Sequence, residues 1–296
     1  MFFAVVLFVL IGVVFSAVVF LVGALSKGGG VFPSQEKVGV ILVEGIIRDA
    51  RGIVKQLEDY GKDDAIRAVV VRIDSPGGGV APSDEIYVAI RELRKKKRVV
   101  ASMGSLAASG GYLIACGANR IVANPGTLTG SLSAVMHFAN LEALMKKIGV
   151  SAEVIKSGKF KDIGSPAREM TEEERAVLQD VVDDIYDYLL EVISRERKID
   201  KEFLRTLADG RLFTGRQALN LKLVDELGNL DHALDLAGRL AGIEGKPEAV
   251  YPPKKKGSLW EILLQGAASV LIAEWNKGQI SPMPGLYYLH EGSVLP

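Results

Sequence analysis

Residues 98–115 read RVVASMGSLAASGGYLIA. Arg98 to Met103 is a short apolar run bounded by charge and glycine, which predicts a buried strand. Tyr112 to Ala115 opens an apolar helical run. Ser109 therefore falls where a strand passes into a helix, among small residues that let backbone approach closely. A hydroxyl placed there has backbone N–H groups beside it and the positive end of a helix dipole behind it. That setting suits a nucleophile that must build an oxyanion. The same letters also describe an ordinary Gly/Ala-rich tight turn, and the stretch alone does not separate the two.

Working outward, strands alternate with helices. Lys37–Val43 and Ala68–Ile73 read as buried strands, with an amphipathic helix over 50–66 between them. The second strand runs into DSPGGG at 74–79, and a helix over 83–97 ends in the basic run Arg94–Arg98. Such a run complements a helix C-terminus and stays wet. Beyond the central stretch come a short strand at 120–123, an extended segment at 129–136, a helix at 139–148 and a strand at 152–156. A polar loop, SGKFKDIGSP, fills 157–166. Thr171 followed by Glu174 is a capping box that opens a long helix to about Glu196. Shorter helices follow at 200–208, 215–221 and 229–242. The alternation implies an α/β fold with parallel strand pairs.

The ends differ from this middle. Residues 2–25 carry no charge, enough apolar helix for a hydrocarbon core of roughly 30 Å. The run is long for a signal peptide and no basic residue precedes it, so it reads as an uncleaved membrane anchor. Lys27 is the only nearby charge and weakly favours a cytoplasmic body. An apolar helix is expected at 258–275, for core or subunit packing, and an irregular tail from Gly278. Formal net charge is zero, and no basic face points to nucleic acid. Cys116 is the only cysteine, which rules out an intrachain disulfide and a cysteine-built metal site. Its place on the apolar helix makes it a core residue.

A serine nucleophile needs a base. The three histidines, His137, His232 and His290, have no flanking pattern that suggests a Ser-His-Asp triad. A lysine kept neutral by a dry site can serve instead, and the 157–166 loop offers Lys159 and Lys161. DSPGGG has neither a GK[ST] ending nor a GxGxxG pattern, so a phosphate cradle fits poorly. Its bare backbone suits an oxyanion donor better.

These parts stand in a recognisable order: VVVRIDSPGGG at 69–79, MGSLAASGGYLIA at 103–115, TLTGSLSAVM at 127–136, SGKFKDIGSPAREMTEEE at 157–174 and ADGRLFTGRQALNLKLVDELG at 208–228. In this the chain resembles the signal peptide peptidase A family of serine–lysine peptidases, membrane-anchored relatives of the Clp protease and crotonase folds. The resemblance spans roughly residues 37–240. It implies a crotonase/Clp-protease-like α/β spiral of ββα units behind one N-terminal transmembrane helix. It implies Ser109 as nucleophile, Lys161 as general base, Ser131 as the hydroxyl that orients the lysine, and the N–H groups of Gly78 and Gly110 as oxyanion donors. Ser133 stands where the family commonly has glycine. No metal or cofactor is implied.

The chain divides on this reading into an anchor at 1–26, a linker at 27–36, a peptidase domain at 37–245 and a tail at 246–296. The resemblance places the catalytic body on the extracytoplasmic side of the cell membrane, against the thin indication of Lys27. Signal peptide remnants are the implied substrates, bound as extended chains near 130–136. The chain carries one copy of the catalytic core, and for a single-copy chain the resemblance implies a homo-oligomeric ring, near eight subunits, in which a lysine and a serine come from different copies. Two rivals share the fold: a crotonase-like acyl-CoA enzyme, which leaves the anchor and the Ser109–Lys161 pairing unexplained, and an inactive membrane scaffold.

Overall fold

A computed structural model describes residues 36–252 and the short strand 287–289, together with Gly12, Val13 and Ser16. Its centre is three parallel strands, β1 (Lys37–Glu44), β2 (Ile66–Ser75) and β4 (Arg98–Ala108). Val40 lies opposite Val70, and Val70 opposite Val100. These strands are apolar almost throughout because both faces of the sheet are covered. Val69, Val71 and Ile73 face a cluster that includes Leu57, Ile86 and Leu113. Ala68 and Val70 face the opposite way, onto Leu236 and Ala237. Helices α1 (Arg51–Lys62), α2 (Val80–Leu93) and α3 (Gly110–Cys116) supply the first layer, and α8 (Leu230–Ala241) the second.

Shorter strands complete the sheet. β5 (Arg120–Ala123) pairs with the first half of β4, and β6 (Leu128–Gly130) with its end. β7 (Leu212–Thr214) runs antiparallel to β6, β8 (Glu226–Leu227) pairs with β5, and β9 (Glu248–Val250) extends the sheet beyond β1. The remaining helices are α4 (Glu142–Lys147), α5 (Glu172–Arg197), α6 (Lys201–Leu207) and α7 (Gly215–Asn220). α5 starts at the expected Thr171–Glu174 capping box.

Several expectations are corrected. The central strand does not stop at Met103 but continues to Ala108, delivering Ser109 directly from the sheet. The extended segment at 129–136 ends at Gly130, because Ser131 turns with a φ of 52°. No strand forms at 152–156; all five residues are exposed, and their β-favouring side chains find no sheet edge. The basic run after α2 is more than a wet face. Arg94 pairs with Glu196 at 2.6 Å, and the Lys97 ammonium donates to the Tyr60 carbonyl at 2.6 Å. The tail is not irregular throughout: Tyr287–Leu289 forms β10, antiparallel to β3 (Gly77–Gly79). β9 also draws part of the segment after 245 into the sheet. No helix among the described residues is long and apolar enough to cross a membrane; the run at 2–25 and the segment at 258–275 lie outside them, apart from the three residues named.

From Ser133 to Tyr188 only Glu174 is buried. This arm, with α4, the 157–166 loop and the first half of α5, makes little use of the core. It carries exposed Phe138, Leu144, Ile148, Val150, Val154 and Ile155. Together they make an exposed apolar surface on the arm.

Candidate active site

β4 hands the chain to α3 through Ser109, whose φ of 54° and ψ of −116° are unusual for a residue with a side chain. Such backbone costs on the order of 1–3 kcal/mol and persists where the surroundings hold it. One restraint is visible: the Ser109 N–H donates to the Gly130 carbonyl at 2.8 Å. Ser109 is fully buried, and its Oγ is the one buried side-chain nitrogen or oxygen among the described residues without a hydrogen-bond partner. A buried hydroxyl left unpaired costs about 1–3 kcal/mol. Backbone strain and an orphaned polar atom thus coincide at a single residue, which a plain tight turn does not require.

Gly110 follows at the first position of α3. Its N–H has no partner within the helix, as for every first-turn N–H. A Cβ here would lie 2.4 Å from Ser83 Oγ and 3.4 Å from Gly77 Cα. The start of α3 is therefore packed onto β3. In β3, the Ile47 N–H donates to the Gly77 carbonyl at 2.9 Å and the Gly79 N–H to the Ile47 carbonyl at 2.8 Å. Strand alternation turns the Gly78 N–H to the other edge. Only glycine fits at 78, because a Cβ would sit 2.1 Å from the Ile47 carbonyl oxygen. On that other edge lies β10, with Tyr288 opposite Gly78.

Two serines pin this glycine strand. Ser75 Oγ donates to the Gly45 carbonyl at 2.6 Å and accepts from the Gly77 N–H at 3.1 Å. Ser83 Oγ donates to the Gly79 carbonyl at 2.8 Å. Asp74 accepts from the Leu106 N–H at 3.0 Å and ties the strand to β4. Sequence reasoning assigned no role to Ser75, Ser83 or Ile47. Ser75 lies inside the quoted DSPGGG motif, whereas Ile47 is distant in sequence and left no signal.

Ser131 lies one residue beyond Gly130, the acceptor for Ser109. It is nearly buried, has a φ of 52°, and its N–H donates to the Arg211 carbonyl at 2.8 Å. The fold thus brings Ser109, Gly110, the Gly77–Gly79 strand and Ser131 to the C-terminal end of β4.

Lys161 is not brought there. It lies exposed on the arm, and among the described residues its ammonium makes no hydrogen bond or ion pair. Its neighbours are engaged. Lys159 pairs with Glu173 and sits 5.5 Å from the Phe160 ring centre; Lys156 pairs with Asp162. None of the histidines reaches Ser109 Oγ among the described residues. His232 Nε2 lies 2.8 Å from Glu226, and His290 is outside the described residues. Among the described residues no cluster of three or more His, Cys, Asp or Glu side chains could hold a metal ion.

Comparison with known proteins identifies the family. The model of peptidase family S49 matches residues 91–244, and that of the Clp protease family matches residues 35–127. A protease-named protein of Synechocystis sp. is 43% identical over 213 residues, covering 71% of this chain and 76% of the relative. A protein of Enterococcus faecium whose name includes signal peptide peptidase SppA is 33% identical, covering 68% of this chain and 63% of its own. Among solved structures, a mutant form of ClpP1 from Listeria monocytogenes is 16% identical with a TM-score of 0.46, covering 66% of this chain and 93% of its own.

Proposed function

This chain belongs to peptidase family S49 and is a serine peptidase, and from that premise we propose that it cleaves peptide bonds with Ser109 as nucleophile and Lys161 as general base. The observation that carries the reading is the orphaned, buried Ser109 hydroxyl on a strained turn. The choice of lysine rests on the resemblance and on pairing. Lys156 and Lys159 are each held by a carboxylate, whereas Lys161 has no counter-ion among the described residues.

Neutral Lys161 Nζ takes the Ser109 proton as Oγ attacks the scissile carbonyl. The N–H groups of Gly78 and Gly110 donate to the oxygen that becomes negative. The lysine ammonium then gives its proton to the leaving amine, which leaves an acyl-enzyme. Lys161 next takes a proton from water as its oxygen attacks the acyl carbon, the bond from Ser109 Oγ to that carbon breaks to release the acid product, and the Lys161 ammonium returns its proton to Oγ. Ser131 orients the lysine. Preorganised donors are worth about 2.7–4 kcal/mol each in comparable sites, or roughly 10²–10³ in rate.

The lysine arrives from a second copy of this chain. One subunit holds the nucleophile without a base and a lysine without a task, and the arm between them is apolar and exposed. A head-to-tail contact that repeats and closes yields a ring, near eight subunits on family resemblance. The substrate is an extended chain. β10 covers the Gly77–Gly79 edge in this structure, so a substrate strand that reaches the Gly78 N–H there takes the place of β10. Signal peptide remnants suit an enzyme anchored by residues 2–25, with its body on the extracytoplasmic side.

Kinetics of single variants test the chemistry. Ser109→Ala and Lys161→Ala should each lower kcat by several orders of magnitude with the fold intact, and Lys159→Ala should be mild. A fluorophosphonate probe should label the wild type and not Ser109→Ala. Near-normal turnover in either of the first two variants would overturn the reading.

A further inference from the structure

Lys161 has an acidic neighbour, Asp162, able to neutralise it. A lysine beside a free carboxylate is held in its charged form, which a general base cannot use. In the structure the carboxylate is turned elsewhere. Arg168 Nε donates to Asp162 Oδ2 at 2.9 Å, and Lys156 pairs with the other oxygen. The same guanidinium grips α5: Nη1 donates to Glu174 Oε2 at 2.8 Å and Nη2 to Oε1 at 2.5 Å. Glu174 in turn accepts from the Thr171 N–H at 3.0 Å in the capping box. Arg168 is thus fixed by a helix terminus and holds the residue next to the proposed base.

We propose that Arg168 is a positioning residue that keeps Asp162 away from Lys161, so that the lysine stays without a counter-ion until it meets Ser109. The inference rests on the proposed role of Lys161. The other charges of the arm agree with it. Glu173 is taken by Lys159 and Glu142 by Lys146. Arg175 lies along α5, and His137 and Glu169 line the same groove as Arg168. Among the described residues no acid of the loop, of α4 or of the start of α5 pairs with Lys161, Glu153, Glu169 and Glu172 included. The Asp162 carboxyl is held well below the ordinary range, first by the Arg168 hydrogen bond and then by Lys156, so it is a full anion that would attract Lys161 if released.

The test is the pH dependence of kcat/KM in the full-length, membrane-extracted enzyme with a fluorogenic peptide. Arg168→Gln should move the limb that rises toward alkaline pH upward by about one pH unit, the usual effect of one close opposite charge. Arg168→Lys should keep part of the wild-type position. Adding Asp162→Asn to Arg168→Gln should restore the limb, because the released anion is gone. Glu174→Gln, which weakens the grip that fixes Arg168, should move the limb in the same direction but by less than Arg168→Gln. A uniform loss of rate in Arg168→Gln with an unmoved limb would overturn the inference, as would a shift that Asp162→Asn fails to reverse. If Arg168→Gln does not fold, Arg168→Lys alone with and without Asp162→Asn decides on the same criterion. Failure of the parent reading looks different: Lys161→Ala would itself keep its activity.

Discussion

The Ser109 backbone N–H donates to the Gly130 carbonyl at 2.8 Å while the Ser109 hydroxyl has no partner among the described residues. The bond fastens the turn between β4 and α3 to the end of β6 and so prevents the strained backbone from relaxing. Removing the hydroxyl should therefore relieve a cost without loosening the turn. Ser109→Ala should raise stability by about 1 kcal/mol, or roughly 2–4 °C in Tm for a chain of this size, while abolishing turnover. Calorimetry checks it; a lower Tm would mean that the hydroxyl is paired in solution.

Gly78 and Gly110 are required sterically before they are required chemically. A Cβ at 78 meets backbone, the Ile47 carbonyl oxygen at 2.1 Å, which cannot swing aside. A Cβ at 110 meets Ser83 Oγ at 2.4 Å, the end of a small side chain. Gly78→Ala should cost about 1–3 kcal/mol by overpacking and also displace the oxyanion donor. Gly110→Ala in a Ser83→Ala background should recover part of the stability lost by Gly110→Ala alone. Thermal melts of the wild type, both single variants at 83 and 110, and the double variant give the answer. Equal melts with and without Ser83 would contradict this packing.

Acid should loosen the arm before the body. The Glu174 carboxyl is held down at about 2, first by Arg168 and then by the Thr171 N–H, against an ordinary value of 4.5. Asp162 is lowered by the same arginine. A carboxyl whose value is depressed by folding stabilises at pH above its ordinary value, and the benefit is lost as pH falls toward the depressed one. Amide protection factors at residues 158–175, taken relative to intrinsic exchange at each pH, should fall between about pH 4.5 and 2, ahead of those of β1, β2 and β4. Simultaneous loss of protection in both regions would contradict it.

Burial pushes the Cys116 thiol up to about 12. The thiolate is the reactive form. The native protein at about pH 8 should therefore resist alkylation by iodoacetamide and react once unfolded, a difference that mass spectrometry reads directly.

The strands of the sheet and the capped helices were legible because their signals are local. Val69–Ile73 and Val99–Met103 are apolar on both faces, and Thr171–Glu174 is a cap in the sequence itself. Ser109 was legible as a strand-to-helix serine, and the resemblance singled out Lys161 beside Lys159. Ile47, Ser75 and Ser83 were not, since each acts through a partner set by the fold: Gly77 and Gly79 for Ile47, Gly45 for Ser75, Gly110 for Ser83. Residues 152–156 misled because Val154 and Ile155 favour strands only where a neighbouring edge exists. Tyr287–Leu289 was missed for the converse reason: its edge is Gly77–Gly79, far earlier in the chain.

The central claim is that Ser109 of one subunit works with Lys161 of another. Mixing inactive Ser109→Ala with inactive Lys161→Ala, under conditions that let subunits exchange, tests it most directly. Some interfaces would then join an intact Ser109 to an intact Lys161, and the account predicts partial recovery of peptidase activity that grows with the extent of exchange. No recovery despite demonstrated mixing, or full activity in a verified monomer, would show that each subunit carries a complete site.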